Sequence, residues 1–332
     1  MGCFSRNWSV RLRYYQSQTH SLCLNLALSD LRPLLLPIFK NYYLNLFEFD
    51  FMAVNNPPIS LSNINLVPLE ISAGQDLVQG LKNWRTWTHL GWSEIKRRYR
   101  RTVIGPFWNS ISLAVFVVTL GVVGAGLWKL ELEGYLPYVA AGMVVWILVT
   151  AMLTEAGGVF ISGSSLIFQI RCNYSLLIYA LVYRNFIVFL HNLLVFIMIS
   201  LFFQPDKIIT PALILLIPGV FLVLANCAWI VLLLSMICLR FRDLQQLITS
   251  LIQILMFITP IIWMPDSLPA ESRTFFVEGN PFYYFIELVR APLLGRLPEP
   301  SIYAIALLVA VSGWTLAYFT FCRFRRRIPY WI

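Results

Sequence analysis

The chain has 332 residues, of which 58% are hydrophobic and 12% charged, with 25 Lys and Arg against 16 Asp and Glu for a net charge of +9. A soluble domain carries about 25% charged residues, so this chain has more apolar surface than one soluble core can hide, and an all-α integral membrane protein is the expected fold class. The basic excess alone suits nucleic acid or anionic lipid, but the long apolar runs exclude a nucleic-acid binder.

Residues 1–55 read differently from everything after them. Leu22 to Phe39 is partly apolar but is cut by Asp30, Arg32, Pro33 and Pro37, so it makes neither a span nor a signal peptide. The expectation is a disordered extension, or one upstream of the true start, with Met52 as the internal start. Residues 56–101 form a cytoplasmic N-terminal region. Within it, from Asp76 to Leu90, Leu77, Leu81, Trp84 and Trp87 recur at helical spacing, which predicts an amphipathic helix lying in the headgroup plane. A soluble helix packed on a partner is the alternative. The run EIKRRYRRTVIGPFW, Glu94 to Trp108, then sets five cations directly against uncharged sequence.

An ionised side chain at mid-bilayer costs at least about 2.5 to 3.5 kcal/mol, so uncharged runs mark the spans of residues 102–332. Six occur: Thr102 to Trp128, Gly134 to Thr154, Asn185 to Pro205, Ile208 to Leu239, Leu244 to Pro265 and Pro300 to Cys322. Each exceeds the roughly 20 residues that cross about 30 Å of hydrocarbon as a helix. Lys96, Arg97, Arg98, Arg100, Arg101, Arg171, Arg184, Arg240, Arg242, Arg323, Arg325, Arg326 and Arg327 fall on one side. They outnumber Lys129, Lys207, Arg273, Arg290 and Arg296 on the other, which places both termini in the cytoplasm. Of the six cysteines, Cys3, Cys23, Cys172 and Cys322 fall on the cytoplasmic side and Cys227 and Cys238 in a span, so neither a disulfide nor a metal site is expected.

Two segments break the pattern. Residues 164–184 are cytoplasmic yet apolar, and Arg171, Cys172, Asn173 and Tyr174 divide them into two short helices; such a surface meets another protein, unless both halves extend the neighbouring spans. Residues 266–299 are cut by Pro269, Pro281, Pro292 and Pro298, and Asn280 to Pro292 reads as a short helix. A re-entrant helical hairpin on the external side accounts for this segment, since irregular backbone survives at membrane depth when protein covers it. Glu155, deep in the second span, and His191, in the third, are candidates for an intramembrane polar site. The competing roles are a cap or ion pair with Arg171 or Arg184 for Glu155, and an interhelical hydrogen bond for His191. No phosphate loop, H-E-x-x-H or C-x-x-C occurs, and only three histidines exist, so no nucleotide or catalytic metal is expected in this chain.

RRYRRTVIGPFW, YLPYVAAGMVVW, RDLQQLITSLIQILMFITPIIWMP, NPFYYFIELVRAPLLG and the terminal RFRRRIPYWI, in this order relative to six spans, resemble the membrane permease of an ABC-type polysaccharide exporter. That family moves O-antigen, capsule, teichoic acid and related glycans, including lipopolysaccharide precursors. The resemblance runs from Ile71 to Ile332. It implies a homodimer bound to two copies of a separate ATPase subunit, which holds the ATP and Mg, in a bacterial inner membrane. It also implies an ATPase contact through residues 164–184, with Leu166, Ile167, Gln169, Arg171, Asn173 and Tyr174 as candidates, the interface helix alongside, and the Arg240 to Gln246 turn as a weaker one. The substrate would be a polysaccharide on undecaprenyl diphosphate. Arg97, Arg98, Arg100 and Arg101 are candidates for its diphosphate, although orienting the first span explains them equally. Among the aromatics near the external face, Trp263, Phe282, Tyr283 and Tyr284 are candidates to line the glycan channel. A drug or lipid exporter of the same superfamily, and a membrane-embedded glycosyl- or acyltransferase, are the alternatives.

Overall fold

A computed structural model describes residues 71–332 apart from 101, 103, 106, 171, 206–209 and 266–268. The extension 1–55, the start at Met52, and Arg101 and Arg171 lie outside the described residues. Among the described residues the chain is helical and no strand occurs.

The first helix, α1, is Ala73–Lys82, opened by a capping box in which Ser72 and Gln75 satisfy each other's backbone N–H. Asn83 interrupts it, and α2, Trp84–Tyr99, follows. Gly105, at φ 61°, then takes the left-handed conformation that turns the chain into α3, Phe107–Trp128. The remaining elements are α4, Leu132–Ala156; α5, Val159–Ser162; a π turn, Leu166–Ile170; and α6, Tyr174–Phe203. A 3₁₀ turn at Pro211–Leu215 leads into α7, Leu216–Arg240, and α8 is Leu244–Ile258. Next come α9, Ala270–Arg273; a second π turn, Thr274–Glu278; α10, Pro281–Leu293; α11, Pro300–Phe324; and α12, Ile328–Trp331.

Five helices are long and apolar enough to cross a membrane: α3, α4, α6, the continuous Pro211–Arg240 and Pro300–Trp331. The fifth expected span, Leu244 to Pro265, differs. Its helix α8 has 15 residues and rises about 22 Å, short of about 30 Å of hydrocarbon. The cause is local. Pro260 disfavours helical φ/ψ at Thr259, which sits at φ −82°, ψ 136°. A count of uncharged residues does not register that stop. The third span errs the other way. Its helix begins at Tyr174, well before Asn185, where Asn173 is extended and the Asp76 carboxylate caps the Tyr174 and Ser175 N–H groups.

Helix α4 is the centre of the bundle, with 83% of its apolar window buried against α3, α6, α7, α8 and α10. Small residues set the closest approaches. A Cβ on Gly91 of α2 would lie 2.8 Å from the Ala180 carbonyl oxygen of α6, so the backbones touch there, as small-residue contacts allow between membrane helices. The expected interface helix is broken at Asn83, and the face that packs on α6 carries Ala73, Asp76, Gly80, Gly91 and Ile95. Of the expected apolar stripe, Leu77 packs on the core and Trp87 meets Tyr183 of α6 edge-on, while Leu81 and Trp84 stay exposed with Val78 beside them.

Candidate functional site

One end of the bundle gathers the arginine-rich loops, and its architecture rests on two ion networks, one buried and one part-buried. In the first, Asp76 of α1 has no exposed surface. Its carboxylate accepts from the backbone N–H groups of Tyr174 (3.4 Å) and Ser175 (3.1 Å), and from the Ser175 hydroxyl. It thus caps α6 from another helix, satisfying donors that every helix start leaves open. Arg325, just beyond α11, completes the knot. Its Nε and Nη2 reach Asp76 at 3.0 and 2.8 Å, its Nη1 donates to the Ile71 carbonyl, and it lies 5.3 Å from the Tyr174 ring centre.

In the second network, Glu155 at the end of α4 accepts from Arg184 (2.6 Å), Asn185 (2.8 Å) and Arg98 (2.6 Å), and Arg184 also pairs with Glu94. Glu155 is therefore engaged by three donors from α2 and α6. Of its two anticipated partners, Arg184 is one, and Arg171 falls outside the described residues. His191 belongs to a different level of α6. Its Nδ1 faces the Ile187 carbonyl at 2.8 Å, which can only accept, so this nitrogen carries the proton, and the ring meets Phe107 edge-on at 5.7 Å.

Beside the Glu155 network lies a cleft of about 230 Å³, lined by Glu94, Arg97, Glu155, Ser162, Ser165 and Arg184 with apolar side chains between them. Arg97, Arg98 and Arg100 are exposed, Arg97 lines the cleft, and Arg98 is already paired with Glu155. Residues 164–184 form the far wall. Their first half is the π turn Leu166–Ile170, while the second half is the opening of α6 rather than a separate helix. Ile167 is 5% exposed and Asn173 2%, and Tyr174 is wedged against Phe160 and Arg325. Gln169 and Leu166 reach the surface in full and in part, and Phe168, which the sequence did not single out, is 55% exposed. Burial, with the Asp76 charge nearby, pushes the Cys172 thiol up to about 11.

At the opposite end, the chain leaves α8 at Thr259, and its irregular backbone is covered by protein. Tyr135 donates to the Ile262 carbonyl, and the Tyr138 hydroxyl lies 3.3 and 3.2 Å from the Pro260 and Trp263 carbonyls. Arg290 of α10, 1% exposed, donates to the Pro260 carbonyl at 2.7 Å, grips Glu287 through Nε (2.8 Å) and Nη2 (2.6 Å), and lies 4.2 Å over the Tyr138 ring. Residues 266–299 thus present a buried helix, α10, that seals the broken end of α8. Of the four aromatic channel candidates, Trp263, Phe282 and Tyr283 are half-buried, while Tyr284 is 8% exposed and donates to the Glu278 carbonyl.

Five helices long and apolar enough to cross a membrane, with a polar seam at the arginine-rich end, describe a multi-pass membrane protein. The model of the ABC-2 type transporter family matches residues 85–294, from α2 to the turn after α10. The chain belongs to that family. ABC-2 permeases are transport subunits that work with an ABC ATPase partner. No curated protein matches the chain. The matched span contains the Glu155 network, the cleft, residues 164–184 and the Arg290 seal; Asp76 and Arg325, which knot the seam, flank it.

Proposed function

We propose that this ABC-2 permease exports a lipid-linked cell-surface polysaccharide across the bacterial inner membrane, as a homodimer carrying two ATPase subunits. The observation that carries this reading is the exposed face of α8. Gln246, Thr249, Ser250 and Gln253 are all exposed and share an arc of about 100° at 3.6 residues per turn. Leu247, Leu251 and Ile254 expose a second stripe beside them. Uncharged amides and hydroxyls on a helix this apolar suit a wall facing a water-filled path rather than lipid chains. They supply donors and acceptors to sugar hydroxyls without fixing a charge, and Phe257 and Trp263 at the same end supply stacking surfaces.

In this reading α8 and the covered segment Thr259 to Pro265 together complete a sixth crossing, and residues 266–299 form the re-entrant hairpin at the exit. The arginine-rich end and both termini are cytoplasmic. ATP-driven closure of the partner subunits acts on residues 164–184, with Phe168 and Gln169 at the contact. Arg97 and Arg100, free of Glu155, are the better candidates for the lipid diphosphate. The test is a paired replacement, Gln246→Leu with Gln253→Leu, in cells whose surface glycan is measured by blotting. Loss of surface glycan at unchanged permease level supports the reading. Unchanged glycan, with loss of resistance to a lipophilic drug, supports the drug-exporter alternative.

A further inference from the structure

Asn173 stands at the N-cap position of α6 with the extended backbone an N-cap requires, φ −60° and ψ 133°, yet its side chain caps nothing. It is 2% exposed, and neither its Oδ1 nor its Nδ2 has a hydrogen-bond partner among the described residues. Burying a whole carboxamide unpaired is costly, and such groups are rare enough that each one needs a reason. The cause is visible: Asp76 has taken the cap. Its carboxylate holds the N–H groups of Tyr174 and Ser175, and the second of these is one that an N-cap side chain at Asn173 would otherwise serve.

We propose that Asn173 is a reserve cap, which takes over the start of α6 when α1 withdraws Asp76. This rests on the reading that residues 164–184 receive the ATPase stroke. Asp76 and Arg325 neutralise each other and are further tied through the Ile71 carbonyl, so α1 and the end of α11 can move off α6 as one neutral unit. Asn83, at φ −79° and ψ 46° between α1 and α2, is the break about which α1 pivots. Rotation of the Asn173 side chain then delivers Oδ1 to the Ser175 or Leu176 N–H, and its burial is relieved in the displaced state. The α6 start is capped at both ends of the motion, by Asp76 at rest and by Asn173 when displaced. Asn173 is thus a positioning residue for the stroke.

The experiment uses the permease reconstituted with its ATPase subunit, in the wild type, Asn173→Ala and Asn173→Ser forms. Amide exchange at residues 174–177 is followed without nucleotide and with ATP trapped by vanadate, together with ATP turnover. Expected is an Asn173→Ala protein whose resting melting temperature is unchanged or higher. Its amides 175 and 176 exchange about fivefold faster than wild type in the trapped state only, the equilibrium factor of a lost N-cap, and its turnover falls. Asn173→Ser, another good cap, restores both. If wild type exchange responds to ATP but Asn173→Ala matches it, the reserve cap is wrong and the stroke reading stands. If ATP leaves residues 174–177 of the wild type unchanged, both are wrong.

Discussion

Replacing Arg290 by leucine tests how the broken end of α8 is held. The guanidinium is 1% exposed, and removing it strands the Glu287 carboxylate, whose side chain is 13% exposed. It also removes the shorter of the two contacts to the Pro260 carbonyl, leaving the Tyr138 hydroxyl at 3.3 Å. Breaking a buried pair by deleting one partner costs about 3–5 kcal/mol, because the surviving charge is left uncompensated. Glu287→Leu falls in the same range for the opposite reason, an unpaired Arg290. The double replacement removes both charges, so it recovers most of the loss and retains a deficit of about 1–3 kcal/mol from the weakened Pro260 carbonyl. Reversible unfolding of the purified protein by SDS in mixed micelles gives the four corners of this cycle. Single losses below about 1 kcal/mol, or a double loss equal to the sum of the singles, would refute the seal as described.

At the arginine-rich end, Arg184→Gln strands the part-buried Glu94 and leaves Glu155 with Arg98 and Asn185, so the same titration should show a loss of about 1.5–3 kcal/mol; Glu155→Gln leaves Arg184 paired with Glu94 and costs nearer 1 kcal/mol, and the reverse order would dissolve the proposed network. Gly91→Ala drives a methyl to 2.8 Å from the Ala180 oxygen and should destabilise by about 1–3 kcal/mol, whereas Gly126→Ala, with nothing within 4 Å, should be neutral or mildly stabilising; equal effects would remove the close contact of α2 with α6. The Cys172 thiol, raised to about 11 from an ordinary 9, holds about a hundredth of the usual thiolate at pH 8, so maleimide labelling in a single-cysteine background should be about 100-fold slow. Its raised value favours the folded chain below pH about 9 and gives that advantage up as pH rises towards about 11; fast labelling at pH 8 would place Cys172 outside the seam.

What the sequence disclosed tracks how local each signal is. Apolar runs set the long helices, and Pro281 with Pro292 framed α10 within a residue, because both depend on neighbours along the chain. The stop of α8 was also local, and Pro260 carried it, but counting charges passes over proline. The S-A-G-Q capping box likewise marks the start of α1 at Ala73, upstream of the Asp76 expected from apolar spacing alone. Other features had no local trace. Asp76 and Arg325 lie 249 positions apart, so nothing near either residue announces their pairing. The packed face of α1 and α2 followed hydrophobic spacing in part: Leu77 and Trp87 pack inward, and Leu81 and Trp84 do not. Close approach to α6 turned Gly80 and Gly91 inward, where a Cβ would meet Ser175 and the Ala180 carbonyl, and left Trp84 out. Glu155 was visible as an anomaly, and Arg184 was named among its partners, while Arg98, read as a candidate for the diphosphate or for orienting the first span, lies 57 positions from Glu155 and nothing near it announces the pairing.

The central claim is that this ABC-2 permease and a separate ATPase move a lipid-linked glycan. Its most direct test is co-reconstitution of both subunits into sealed proteoliposomes loaded with an undecaprenyl-diphosphate-linked polysaccharide, with glycan exposed to an added lectin scored against ATP. The account predicts ATP-dependent exposure that needs both subunits and falls with Gln246→Leu and Gln253→Leu together, and no ATP turnover by the permease alone. ATP-driven movement of a lipophilic dye with no exposure of glycan would contradict it.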